Sequence, residues 1–203
     1  MNIYFLRHGM TQGNLERRYI GRTDEPLCEQ GRLLAQGLGV RLEKSGVQEV
    51  WTSPLLRCRE TASLVFPGQN QRVENDFREC DFGEFEYKNY EELKENPRYQ
   101  RWLSSGGALP FPGGESREDF CVRCRRAFSR AVETLQTRGI ERAAFVVHGG
   151  TIMAILSGFG QPRQDYYHWQ VENCGGYLVE LGRGGLVAEG CRIVEKIGEE
   201  RPW

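Results

Sequence analysis

The chain alternates short apolar runs with longer amphipathic stretches. Ile3 to Leu6 is the first such run, and it reads as a short buried strand. From Glu29 to Ser45, Leu33, Leu34, Leu38 and Leu42 recur near helical spacing, which predicts a helix. Glu49 to Thr52 reads as a second strand. It ends at Ser53-Pro54, a good N-cap followed by a proline suited to the first helical position, so a helix is expected from there to about Val65. Val73 to Phe77 reads as another strand. Glu118 to Gln136 sets Phe120, Cys124, Ala127, Phe128, Ala131 and Leu135 on one stripe, the pattern of a core-facing helix. Ala143 to Val147 is a further strand, with a helix expected after Thr151. Tyr177 to Leu181 and Leu186 to Cys191 flank Gly182 to Gly185 and predict a hairpin. The last residues are polar and are expected to fray.

Strands alternating with helices predict an α/β fold, with a mostly parallel central sheet covered by helices on both faces. Two additions are expected, the C-terminal hairpin and a helical and loop insertion at about 83–114. The insertion has Tyr90, Leu93, Tyr99, Trp102 and Leu103 as its apolar contacts, and Gly106-Gly107 and Pro110 to Gly114 mark its loop end. With no internal repeat and no low-complexity linker, residues 1–203 suit one domain.

The formal net charge is -1, so no overall attraction toward nucleic acid or an acidic membrane is implied. No apolar run approaches the ~20 residues of a membrane span. The amino terminus lacks the basic, apolar, small-residue order of a signal peptide. The 7 cysteines show no metal-ligand spacing and fit a reducing cytoplasm. Cys121 and Cys124 form a CxxC inside the expected helix, without a partner pair, and read as core or surface thiols. A homodimer is compatible with the chain, although no exposed apolar stripe marks an interface.

The chemistry concentrates at two strand ends. The first strand leads into Arg7-His8-Gly9-Met10-Thr11, and Ala143 to Val147 leads into His148-Gly149-Gly150-Thr151. Open α/β sheets place ligands at the carboxyl ends of their strands, and glycine lets backbone approach a ligand closely. A cation beside an imidazole at such a point suits a phosphate. Arg7 and Arg57 are the candidate phosphate forks. A single arginine is ordinarily a solvated surface charge, and position at a strand end or helix start raises these two above it. His8 is the candidate nucleophile, since a neutral imidazole attacks phosphorus when its other nitrogen is held by an acceptor. His148 would be a second donor to the same oxygens. One histidine at a strand end is more often structural; two, each followed by glycine, point to a shared pocket. A carboxyl group is needed to protonate the leaving alcohol and then to activate water. Glu79, Asp81 and Glu84 are candidates, and spacing does not choose among them.

These residues resemble those of the histidine phosphatase superfamily, which includes the cofactor-dependent phosphoglycerate mutases. Arg7-His8-Gly9-x-Thr11-x-x-Asn14 is similar to its first signature. Gly21-x-Thr23-Asp24-x-Pro26-Leu27 followed by Gly31 resembles the next loop and helix, and Ser53-Pro54-Leu55-x-Arg57-x-x-x-Thr61-Ala62 the segment of the second arginine. Phe77-Arg78-Glu79-x-x-Phe82-Gly83 resembles the segment of the general acid, and Val146-Val147-His148-Gly149-Gly150 the second histidine motif. Each motif alone is weak; together, in the family's order, they are highly specific. The resemblance implies that His8 accepts the phosphoryl group and that Arg7, Arg57 and His148 bind its oxygens. It implies that Glu79 is acid and then base, and that Thr11, Asn14, Gly21 and Gly149 line the phosphate end. It also implies that no metal or organic cofactor is needed. Positioned cations then stabilise a transition state of spread charge.

Within the superfamily, Cys80 to Lys88 lacks the tyrosine- and lysine-bearing segment of the mutases. Phe82-Gly83-x-Phe85-Glu86, Tyr90-Glu91-x-Leu93, Tyr99, Trp102 and Phe111-Pro112-x-Gly114-Glu115 resemble instead the α-ribazole phosphatase branch of cobalamin synthesis. The expected partner is a small phosphorylated metabolite. The aromatics from Phe85 to Phe111 suit a lid stacking on an aromatic leaving group. They equally suit plain packing of the insertion on the core. Two other functions stay open: a phosphoglycerate mutase-type phosphotransferase, and a non-catalytic phosphate-binding module.

Overall fold

The computed structural model describes residues 1–182 and 184–198, the side chain of Val187 excepted. Chain order runs β1 (Asn2–Arg7), α1 (Gln12–Leu15), α2 (Glu29–Leu42), β2 (Glu49–Thr52) and α3 (Leu56–Val65). Then come β3 (Gln71–Val73), α4 (Tyr90–Leu93), α5 (Pro97–Ser104) and α6 (Arg117–Thr137). The remainder holds β4 (Arg142–Val147), α7 (Gly149–Phe159), β5 (Gly160–Gln161), β6 (Gly176–Leu181), α8 (Gly185–Glu189) and β7 (Cys191–Ile197). Single 3-10 turns lie at Asn75–Phe77, Gly83–Phe85 and Tyr166–Trp169.

The strands form one sheet in the order β3-β2-β4-β1-β6-β7-β5. Between these strands the β1–β6 and β6–β7 pairings are antiparallel, and the other described pairings are parallel. Side chains alternate across each strand, so every buried strand feeds two cores. Ile3, Phe5, Ala143, Phe145 and Val147 face α6 and α7. Leu6, Val50, Ala144 and Val146 face α2 and α3. The expected mostly parallel sheet with helices on both faces is therefore what forms. On the α6 face Phe5 lies 5.2 Å from Phe128 and 5.6 Å from Phe145. Full burial of each such ring stabilises by about 1.5–3 kcal/mol, and these rings clamp the two central strands. Cys121 and Cys124 are buried in the same core.

Several sequence expectations need correction. α2 stops at Leu42 rather than Ser45. Ser53 does not cap α3: Leu55 is the N-cap residue and makes no side-chain cap, while Asp24 Oδ1 accepts from Leu56 N at 2.7 Å. The Ser53 hydroxyl is drawn to His148 instead, at 2.7 Å. The third strand is Gln71–Val73, not 73–77, because Phe77 is buried from a 3-10 turn rather than from the sheet. α7 begins at Gly149, ahead of Thr151. The hairpin's second strand is Cys191–Ile197, and residues 185–189 coil into α8 between the strands. The expected fraying of the final residues lies outside the described residues. No helix among the described residues is long and apolar enough to cross a membrane.

Candidate active site

β1 and β4 are parallel neighbours, with Arg7 in register with Val147. The next residues, His8 and His148, therefore leave the sheet side by side. His8 N still donates to Val147 O at 3.0 Å, and the two imidazole rings sit 5.2 Å apart at 65°. Both are almost wholly buried.

The proton on His8 is placed by its partner. Its Nδ1 is 2.7 Å from Gly9 O. A carbonyl oxygen only accepts, so Nδ1 carries the hydrogen and Nε2 keeps a free lone pair. Burial, then the guanidiniums of Arg57 and Arg7, push the imidazole well below its usual 6.5, so it is neutral. Asn173 secures this backbone. Its Nδ2 donates to His8 O at 3.0 Å, to Gly9 O at 3.3 Å and to Asn14 Oδ1 at 3.2 Å. Thr61 completes the clamp by accepting from Gly9 N at 2.9 Å and donating to Arg57 O at 2.6 Å.

Arg57 is fully buried and gripped by a loop. Its Nη1 donates to Thr23 O at 2.7 Å, and its Nη2 donates to Gly21 O at 2.8 Å and Ile20 O at 3.2 Å. The loop is held by the Glu86 carboxylate, which accepts from Gly21 N and Thr23 N, both at 2.9 Å, and from Thr23 Oγ1 at 2.7 Å. Arg7 donates from Nη1 to Val171 O at 2.8 Å. The Nε–H groups of Arg7 and Arg57 are buried without partners. An unmet buried donor costs about 1–3 kcal/mol, a cost that an anion in the site would relieve. His148 is the N-cap residue of α7, whose positive end supports the same anion. Burial and Arg57 hold its ring well below 6.5 as well.

Glu79 is the one of the three candidate carboxylates that enters this cluster. Gly150 N donates to its Oε2 at 3.1 Å and Cys80 N to its Oε1 at 3.0 Å. Burial raises its pKa above the usual value, partly opposed by these hydrogen bonds and by Arg57 and Arg7. Asp81 instead accepts from Gly83 N at 2.9 Å, and exposed Glu84 pairs with Arg98. A Cβ at position 150 would lie 2.3 Å from Glu79 Oε1, so a side chain there must displace the carboxylate.

Among the remaining expected residues, Thr11 is buried and caps α1, with Asn14 Oδ1 accepting from Thr11 N at 3.1 Å. Gly21 acts through its backbone, its N–H on Glu86 and its carbonyl on Arg57. Gly149 packs against the Arg7 side chain, 3.5 Å from where its Cβ would be. Glu86, Thr61 and Asn173 were given no role by sequence reasoning. Glu86 and Thr61 stood inside recognised motifs, whereas Asn173 joins from 165 residues away with no local signal.

Beside Arg7 and Glu79 opens a cavity of about 410 Å³ walled by Tyr19, Phe82, Trp102, Phe111 and Tyr166. Residues 83–114 both pack on themselves and contribute to the cavity wall. Phe85, Leu93 and Tyr99 form a small core of their own, and Trp102 and Phe111 face the cavity.

The strand-end histidine pair, the buried Arg57, the half-buried Arg7 and the desolvated Glu79 carboxyl group thus meet at one end of the sheet. The chain belongs to the histidine phosphatase superfamily (branch 1), whose family model matches residues 3–193. A curated relative from Salmonella typhi, named "Probable phosphoglycerate mutase GpmB", is 29% identical, with 98% of this chain and 93% of that protein covered. The crystal structure of phosphoglycerate mutase from Thermus thermophilus matches at 29% identity and a TM-score of 0.71, covering 98% and 100% of the two chains. The α-ribazole phosphatase from Shigella flexneri shares the fold at a TM-score of 0.85 and 23% identity, covering 99% and 100%.

Proposed function

We propose that the protein is a phosphomonoester hydrolase working through phosphohistidine. The observation that carries this reading is the His8 tautomer, fixed by the 2.7 Å contact of Nδ1 with Gly9 O, which leaves Nε2 as a neutral nucleophile within the influence of Arg57 and Arg7. Nε2 attacks phosphorus, the ester P–O bond breaks, and Glu79 gives its proton to the leaving oxygen. Water then attacks the phosphoryl group, its proton passes to the Glu79 carboxylate, and the P–N bond breaks to release phosphate and neutral His8. Arg7, Arg57 and His148 stabilise the equatorial oxygens, and Asn14 is free to donate from its Nδ2. Residues 83–114 cover the leaving group, and the aromatic wall favours one that carries a planar ring. That supports α-ribazole 5'-phosphate, and with it a place in cobalamin synthesis in the cytoplasm. A mutase-type phosphotransfer is the second reading, favoured by the relatives' names.

The test is phosphate release without added metal from α-ribazole phosphate, phosphoglycerates and aryl phosphates. Strong turnover of α-ribazole phosphate supports the full reading. Isomerisation of phosphoglycerate faster than hydrolysis overturns it in favour of the mutase, and phosphate binding without turnover makes the chain a binding module.

A further inference from the structure

Glu79 lies between the 3-10 turns at Asn75–Phe77 and Gly83–Phe85, in a stretch that is neither helix nor strand. No sheet ladder or helix therefore fixes the backbone that carries this carboxyl group. A side chain from α6 does so instead. Arg123 Nη1 donates to Asp76 O at 2.7 Å and to Arg78 O at 3.0 Å. The second carbonyl belongs to the peptide bond that enters Glu79.

The other edge of the same guanidinium grips Glu115 as a fork. Nε donates to Oε1 at 2.9 Å and Nη2 to Oε2 at 2.6 Å. The two side chains are only 11% and 17% exposed. A forked carboxylate fixes the guanidinium plane, and that plane aims Nη1 at the two carbonyls. Glu115 in turn anchors the cavity wall. Its N donates to Asp81 O at 2.9 Å, and its carbonyl accepts from Phe111 N at 3.3 Å. Phe111 faces the cavity, as does Phe120, whose ring centre lies 5.0 Å from the Arg123 guanidinium carbon. One buried cation thus joins the backbone of the carboxyl group to the foot of the wall beside it.

We infer that Arg123 is a positioning residue for the Glu79 acid and locks that acid to the wall segment carrying Phe111. It acts through the Arg78 carbonyl, not on substrate. The inference rests on the phosphohydrolase reading, so one readout is independent of turnover. Gly150 N–H lies in the first turn of α7, where no helical partner exists, and its acceptor is Glu79 Oε2. Its hydrogen exchange, followed by NMR on the isotope-labelled full chain, reports whether the carboxylate is in place, with Glu79→Ala as the calibrating variant. Arg123→Lys keeps the charge and loses the fork; Arg123→Gln loses both. In Arg123→Gln the Gly150 amide should exchange about tenfold faster, the worth of one hydrogen bond, and Arg123→Lys should fall between. The His8 amide, bonded to Val147 O at the sheet, should keep its protection.

In turnover, Arg123→Gln should lower kcat/KM for an alkyl phosphate by about ten- to a hundredfold, the cost of a misplaced acid. 4-Nitrophenyl phosphate should lose far less, inhibition by inorganic phosphate should hold, and Arg123→Lys should recover part of the loss. Unchanged Gly150 exchange in both variants overturns the inference. Equal losses for the two esters overturn it as well, since they mark a purely structural pair. If Arg123→Gln does not fold, Arg123→Lys carries the same comparison. Absence of turnover in the unaltered protein, with Gly150 exchange still following Arg123, sinks the hydrolase reading and leaves Arg123 as the residue that places the carboxylate.

Discussion

His8 Nδ1 sits 2.7 Å from the carbonyl of its own neighbour, Gly9, and that same carbonyl takes a second hydrogen bond from Asn173. The proposed nucleophile is therefore aimed by backbone. His8→Ala should lower phosphoester turnover by roughly 10³-fold or more. Rapid acid quench should find no phosphate attached to the variant, while its thermal melt stays cooperative. Undiminished turnover would refute the covalent route.

Glu79→Gln keeps the shape of the acid and removes its proton. Turnover of an alkyl phosphate should drop by about 10²–10⁴-fold. 4-Nitrophenyl phosphate, whose leaving group needs no proton, should lose far less. Equal losses for the two esters would shift the acid to another group.

The pH dependence follows from two opposed shifts. His8 is held well below 6.5, so it stays neutral through mild acid, and kcat/KM should decline only at strongly acidic pH. Glu79 is raised, so its proton is lost as pH climbs through that elevated value, and kcat/KM should decline there. Glu79→Gln should erase the alkaline limb only. Stability has its own sign. The unfolded chain binds protons at His8 and His148 below about 6.5 and the folded chain does not, so the melting temperature should fall as pH drops below that value. His148→Asn should flatten the slope.

Gly150→Ala would place a methyl group 2.3 Å from Glu79 Oε1. The carboxylate must then leave its hydrogen bond to position 150. Turnover should fall with the leaving-group dependence of Glu79→Gln, while competitive inhibition by inorganic phosphate changes little. Loss of both would mean that the phosphate end collapsed too.

Glu86→Ala removes the acceptor of three donors from the loop that grips Arg57. Unfolding in urea should show a loss of about 1.5–3 kcal/mol, the worth of a hydrogen bond to charge. Inorganic phosphate should also inhibit more weakly, because Arg57 loses its fixed aim. A stability loss with unchanged phosphate inhibition would reduce Glu86 to a purely structural post.

The strand ends were legible because apolar runs stop abruptly at Arg7 and His148, where chemistry replaces burial. The helices over Glu29–Leu42 and Arg117–Thr137 were legible from periodicity. Ser53 misled because its hydroxyl has two partners within reach, the backbone of its own turn and a histidine 95 residues away. Local rules see only the first. Gln71–Val73 escaped because an edge strand with polar, exposed residues carries no apolar pattern. Asn173, Thr61 and Glu86 were invisible as actors since most of their hydrogen bonds go to backbone atoms, and contacts of that kind leave no residue-type signature.

The spacing of the two histidines is set by hydrogen bonds between central strands, whereas Trp102 and Phe111 stand on a segment with a small core of its own. The histidine pair and the cavity wall thus rest on separate foundations. A descendant of this chain can reshape the cavity by rebuilding that segment, and the histidine pair need not move.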